Sequence, residues 1–367
     1  MSIPVFRPTL RRRDLNGVLD CLVSDRIGPG PLGQELAAEL SRYLGAAGGQ
    51  CAAAYSTALQ WAFDCLGLAP GDAVIVPSLA PAAYASALAG RGLRLLAADV
   101  DPASGLLERS EVERLLPEGP RALVLVYTLG FLPENEELFS LGLPVLEDIS
   151  QALGAVLGQA RCGSLGQASV LSLSPEGIIT AGGGAAVFCR DRRALKRLRD
   201  AAERSPQDLR LPDLNAALGL AQLKSIEGFL KARQAIAEAF TQAVGRSRHG
   251  TLCSQRDTGS VPFSFPVLVK DSLKQARQYA LRKGVETHGA FLDSLLAVEQ
   301  AGSVNPAEEA GSRPEGPEAP TGMPEAAAGR GAPNARDLAG RCLLFPLYPA
   351  LAKRDAQLVA KVLATLP

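Results

Sequence analysis

The chain has 367 residues, 47% of them apolar, which is long for one domain and enough for a large core. Lysine plus arginine (38) balance aspartate plus glutamate (38), and aromatics make up only 5%. Neither a basic face nor a stacking platform is available, so nucleic acid is excluded as a main partner. Two histidines and seven cysteines without any CxxC pair argue against a metal centre and for reduced, buried thiols in a cytoplasmic protein.

Residues 1–14 carry four arginines with no apolar run behind them, unlike a secretory signal. The longest apolar run, 122–132, is too short for a bilayer, so no membrane partner is expected. In chain order, helices are predicted over 32–44, 57–66, 81–91 and 109–116. Strands are predicted over 73–76, 93–97, 122–127, 144–147, 169–173 and 185–189. Several strands are continuously apolar, as expected when both faces are covered, and the alternation predicts an α/β domain with a mainly parallel sheet. A helical pattern from 213 to about 244 leads to a second, smaller unit with a strand over 264–270, a helix over 272–283 and a terminal helix over 355–366. The expected division is 1–245 and 246–367. Residues 305–334, within a loop at about 303–335, are rich in Pro, Glu, Ala and Gly and are expected to be flexible.

Asp148 lies at the C-terminal end of a buried strand, where open α/β sheets bind ligands, and could hold a protonated ring nitrogen. Asp148-Ile149-Ser150-Gln151 equally fits a capping box. Ser56-Thr57 before a helix could hold a phosphate or serve as its N-cap. Gly182-Gly183-Gly184 permits close approach to a ligand or a turn with positive φ, and Gly28-Pro29-Gly30-Pro31 is a similar loop before a helix. His288 receives no role.

Taken in order, these segments resemble the DegT/DnrJ/StrS family of pyridoxal-phosphate-dependent sugar aminotransferases. The resemblance rests on Ile27-Gly28-Pro29-Gly30-Pro31, on Pro70-Gly71-Asp72-Ala73-Val74-Ile75-Val76-Pro77 and on Asp99-Val100-Asp101. It continues through Glu147-Asp148-Ile149-Ser150-Gln151-Ala152-Leu153-Gly154-Ala155, Gly163-Ser164-Leu165-Gly166, Ala216-Ala217-Leu218-Gly219 and Phe345-Pro346-Leu347-Tyr348-Pro349. It implies the type I transferase fold of aspartate aminotransferase: a large mixed-sheet domain plus a small C-terminal α+β domain. It also implies a homodimer, or a heterodimer with an active paralogue, and a nucleotide-sugar ligand. By the same resemblance Asp148 would pair with the pyridine nitrogen and Gln151 with the ring oxygen, while Ser172 and Ser56 would hold the phosphate.

The departures converge on one pocket. Aligned on Leu171-Ser172-Leu173-Ser174-Pro175, the Schiff-base lysine falls at Gly177, and no lysine precedes Lys196. That lysine forms the aldimine and shuttles the proton; losing the shuttle alone costs roughly 10²–10⁴-fold. Tyr55 replaces a phosphate-cup glycine, Pro81 a stacking aromatic and Asp208 a cofactor-facing asparagine, while Arg210 is kept. No histidine is expected near Gly177 to substitute as a base. The expectation is a family member without a catalytic residue at 177, acting as a binding or partner subunit. The alternative is an aminotransferase or dehydratase on a nucleotide-linked keto sugar, with pyridoxal or pyridoxamine phosphate held non-covalently.

Overall fold

The computed structural model describes residues 2–134, 136–252, 259–297 and 331–367. The chain opens with helices α1 (Asn16–Val23) and α2 (Pro31–Leu44), followed by strand β1 (Gly48–Ala52) and helix α3 (Tyr55–Leu66). Then come β2 (Ala73–Pro77), α4 (Ala83–Ala89), β3 (Arg94–Ala98), α5 (Arg109–Leu115), β4 (Pro120–Val126) and β5 (Val145–Asp148). After a short hairpin, β6 (Val156–Leu157) and β7 (Ala160–Arg161), β8 (Ala168–Ser172) and β9 (Ala185–Cys189) complete one seven-stranded sheet, in the order β1-β9-β8-β5-β4-β2-β3. Strand β9 runs antiparallel to both neighbours and the other pairings are parallel, so the sheet is mixed, as a type I transferase fold requires.

The apolar strands are buried on both faces because each face carries its own core. Ile75, Leu123, Leu125 and Tyr127 point into one cluster, and Val74, Val76, Val124 and Val126 into the other. This is the alternation of a pleated strand applied to a run with no polar face. The predicted helix over 213–244 is two helices, α6 (Arg192–Arg204) being followed by α7 (Asp213–Leu223) and α8 (Ile226–Val244). They part at Ser225, whose backbone leaves the helical region (φ −106°, ψ 0°) and whose hydroxyl accepts a hydrogen bond from Arg13 at 3.0 Å.

A second sheet has the order β10-β12-β11, from β10 (Phe265–Leu268), β11 (His288–Gly289) and β12 (Cys342–Phe345), with α9 (Leu273–Arg282) beside it. Its core includes Phe265, Val267, Leu343, Phe345 and Val359 of the terminal helix Lys353–Ala364, together with Ile3, Phe240 and Val244 from earlier in the chain. Most of the loop expected at 303–335 lies outside the described residues. Its far end is helical: a helix over Pro333–Arg341 begins there, with the amides of Asn334 and Ala335 donating to the Asp99 carboxylate at 3.0 and 2.9 Å. An acid at a helix N-terminus satisfies donors that have no partner within the helix, and this cap orders what composition alone left loose. Among the described residues no helix is long and apolar enough to cross a membrane, and no cluster of metal-ligating side chains occurs.

The buried Glu147 of β5 ties the sheet to the loop that follows. Its Oε1 accepts from the amides of Leu165 (2.9 Å) and Gly166 (2.6 Å), and its Oε2 from Gly163 N (2.7 Å) and the Tyr127 hydroxyl (2.6 Å). Burial pushes its carboxyl up, and these four donors oppose that shift. Glu147→Gln offers an N–H₂ group where an acceptor is needed. It is expected to destabilise by roughly 1–3 kcal/mol for each donor left without an acceptor, read as a lowered urea midpoint at unchanged slope.

Candidate active site

Asp148 ends β5, and its carboxylate, 2% exposed, faces the cleft at the C-terminal ends of the parallel strands. Oδ1 accepts from the amide of Ser150 at 3.0 Å. Oδ2 accepts from the hydroxyl of Tyr84 at 3.0 Å and from that of Tyr55. Tyr84 comes from α4 and is fully buried; Tyr55 is the first residue of α3 and lines the cleft. Their rings meet edge to face, centroids 6.4 Å apart at 84°. Burial, then the Asp148 charge, drives both phenols well above their ordinary range, which keeps them protonated and donating.

The cleft has a volume of about 450 Å³. It brings together Asp148, Gln151, Ser172 and Gly177 of the predicted site, and also Pro81. It does not include Ser56. Helix α3 starts at Tyr55, with Ala54 as N-cap and no side-chain cap, so Ser56 falls in the exposed first turn and is neither cap nor cleft residue. Asp208 also lies elsewhere, exposed in the turn Gln207–Leu209. The capping-box alternative at 148–151 fails because turns, not a helix, follow Asp148. The Gln151 side-chain oxygen instead accepts from the amide of Leu129 at 2.6 Å, holding a buried leucine whose φ of 55° is unusual for a branched side chain. Ser150 Oγ accepts from the amide of Ser172 at 2.9 Å, fastening β8 beside β5.

No role was read from sequence for Tyr84, which is buried behind the carboxylate and does not line the cleft, or for His288, which enters the cleft from β11. His288 stands far from Gly177 in the chain yet lines the same cleft, which corrects the expectation that no histidine adjoins that position. Its Nδ1 lies 2.8 Å from the carbonyl of Gly289. A carbonyl only accepts, so Nδ1 carries the hydrogen and Nε2 is the basic nitrogen.

A family model described as the DegT/DnrJ/EryC1/StrS aminotransferase family matches residues 8–299. The chain belongs to this family. Among its relatives, the GDP-perosamine synthase of Caulobacter vibrioides is 28% identical over 66% of this chain and 70% of its own. The dTDP-4-dehydro-2,3,6-trideoxy-D-glucose 4-aminotransferase of Saccharopolyspora spinosa is 25% identical, covering 98% of this chain and 95% of its own. A structure from Streptococcus pneumoniae, known in PLP and PMP forms, shares the fold (TM-score 0.83, 18% identity, 100% of this chain and 98% of that one).

Set beside that family, the pocket does not fit the coenzyme. A protonated pyridine nitrogen needs a carboxylate oxygen open to the cleft, and here the Tyr55 phenol covers it on the cleft side. Every lysine of the sequence, from Lys196 onward, falls within the described residues, and none lines the cleft. The glycine at 177 is embedded in its loop: a Cβ there would stand 2.5 Å from the carbonyl oxygen of Ile179 and 3.2 Å from that of Ser174. Backbone atoms cannot yield as a side-chain tip can, so any side chain at 177 requires the loop to be rebuilt.

Gly177→Ala is therefore expected to lower stability by roughly 1–3 kcal/mol through overpacking. Gly228→Ala in α8, where nothing lies within 4 Å of the added carbon, should be neutral or stabilising. Paired thermal melts check this; equal melting temperatures for the two variants would contradict it.

Proposed function

We propose that this chain is a sugar-aminotransferase family member that forms no internal aldimine and works as a binding or partner subunit in nucleotide-sugar metabolism. The observation that carries this reading is Gly177, at the position of the family's amine, in a loop with no room for a side chain. The cleft is lined instead by Thr128, Gln151, Ser172 and His288 with Phe6 and Phe291, a mixture of hydroxyl, amide and ring surfaces suited to a sugar. A neighbouring groove shares Phe6 and His288 with it and carries Lys274, Arg277 and Glu286. Its two cations favour the diphosphate of a nucleotide-linked sugar.

A partner role draws support from the first helix. Leu15, Leu19, Leu22, Val23 and Ile27 lie exposed on or beside α1, Val23 at 85%. In this reading that apolar strip receives a second family subunit, identical or an active paralogue. The other reading, a dehydratase using non-covalent pyridoxamine phosphate, gains His288 as a base in the cleft. It still requires the Asp148 oxygen that Tyr55 covers.

Incubation with pyridoxal phosphate should give no aldimine absorbance band. Borohydride should fix no stoichiometric phosphopyridoxyl group on any one lysine, as read by intact-protein and peptide mass spectrometry. One adduct per chain at a single lysine overturns the proposal.

A further inference from the structure

The glycine at 177 does not account for Tyr55. A protein that had only lost its amine could keep an open carboxylate and bind the coenzyme without a covalent bond. Here Asp148 is closed from two sides. Tyr84 donates from the buried side at 3.0 Å, and Tyr55 donates from the cleft side, at the first position of α3. The single tyrosine side chain thus spans from the N-terminus of α3 to the end of β5, its planar ring in the cleft and its proton on Oδ2.

We infer that Tyr55 stands in for the coenzyme: its ring fills the place in front of Asp148, and its hydroxyl supplies the proton that a pyridinium nitrogen would share with the carboxylate. Buried carboxylates demand donors, and this chain carries its own. The fold is then complete without a cofactor, and ligands bind in the remaining cleft, on the outer face of the Tyr55 ring. This goes beyond the missing aldimine and stands on a different residue.

The test uses pyridoxamine phosphate, which has no aldehyde and cannot form an aldimine, so its outcome is separate from that of the borohydride experiment. Equilibrium dialysis against the full chain should show no saturable binding to wild type or to Tyr55→Phe, which keeps the ring. Tyr55→Ala, which opens the space while leaving Asp148 and Tyr84, should bind it saturably, and a folded Tyr55→Ala that binds none overturns the inference. The same variant should be stabilised by p-cresol in thermal melts, with wild type unmoved. If Tyr55→Ala does not fold, Tyr55→Phe decides together with wild type. Its melting temperature should fall by a few degrees for the lost donor, and pyridoxamine phosphate should shift neither protein. Saturable binding of pyridoxamine phosphate to wild type, or binding to wild type and Tyr55→Ala with equal affinity, overturns the inference. A Tyr55→Phe melting temperature equal to that of wild type does the same.

Discussion

A carboxylate withdrawn from water at the end of a parallel strand has to be given hydrogen-bond donors, and much of this molecule follows from how Asp148 receives them. Strand β5 delivers the group to the cleft because the strand is buried throughout and Asp148 is the residue at its C-terminal end. The Ser150 amide takes one oxygen and two phenols take the other. Desolvation makes an uncompensated charge there too costly to persist, so something must always occupy that oxygen. Here the groups on that oxygen are the hydroxyls of Tyr55 and Tyr84, side chains of the protein itself.

The acid next to it shows the same rule applied to architecture. Glu147 collects three backbone amides and a tyrosine hydroxyl, and so fixes the loop 163–166 against β5. Asp99 collects two amides from a helix more than two hundred residues later. Gln151 holds Leu129 in a left-handed conformation at the cleft wall. These side chains belong to segments on which the family resemblance rests. Each holds a loop, a helix or a strained residue in place through these bonds.

The sheet strands were legible because a doubly covered strand writes itself as an uninterrupted apolar run, as in Val74-Ile75-Val76 and Leu123-Val124-Leu125-Val126. Strand β1, Gly48-Gly49-Gln50-Cys51-Ala52, carried no such signature: it is built of small residues because Gly49 lies against Phe188 and the backbone of Val187 on β9. The parting of α7 from α8 was hidden as well, since its partner, Arg13, is distant in sequence. At the site, Asp148 could be read from its place at a strand end, while Gln151, Ser172 and Gly177 joined it through the family resemblance. The helix expected from 57 begins at Tyr55, so Ser56 lies two residues past the N-cap instead of at it. Tyr84 and His288 were given no role because nothing local marks them; the packing of α4 sets the first behind the carboxylate, and β11 carries the second into the cleft.

The amides of Leu295 and Leu296 bond to the carbonyls of Ala80 and Ser78, and those of Asn334 and Ala335 to Asp99, so both stubs flanking 298–330 are moored at adjacent strand ends. The segment before this span and the helix after it are thus tied to neighbouring strands at the same edge of the large sheet, so that edge carries the join between the two sheets.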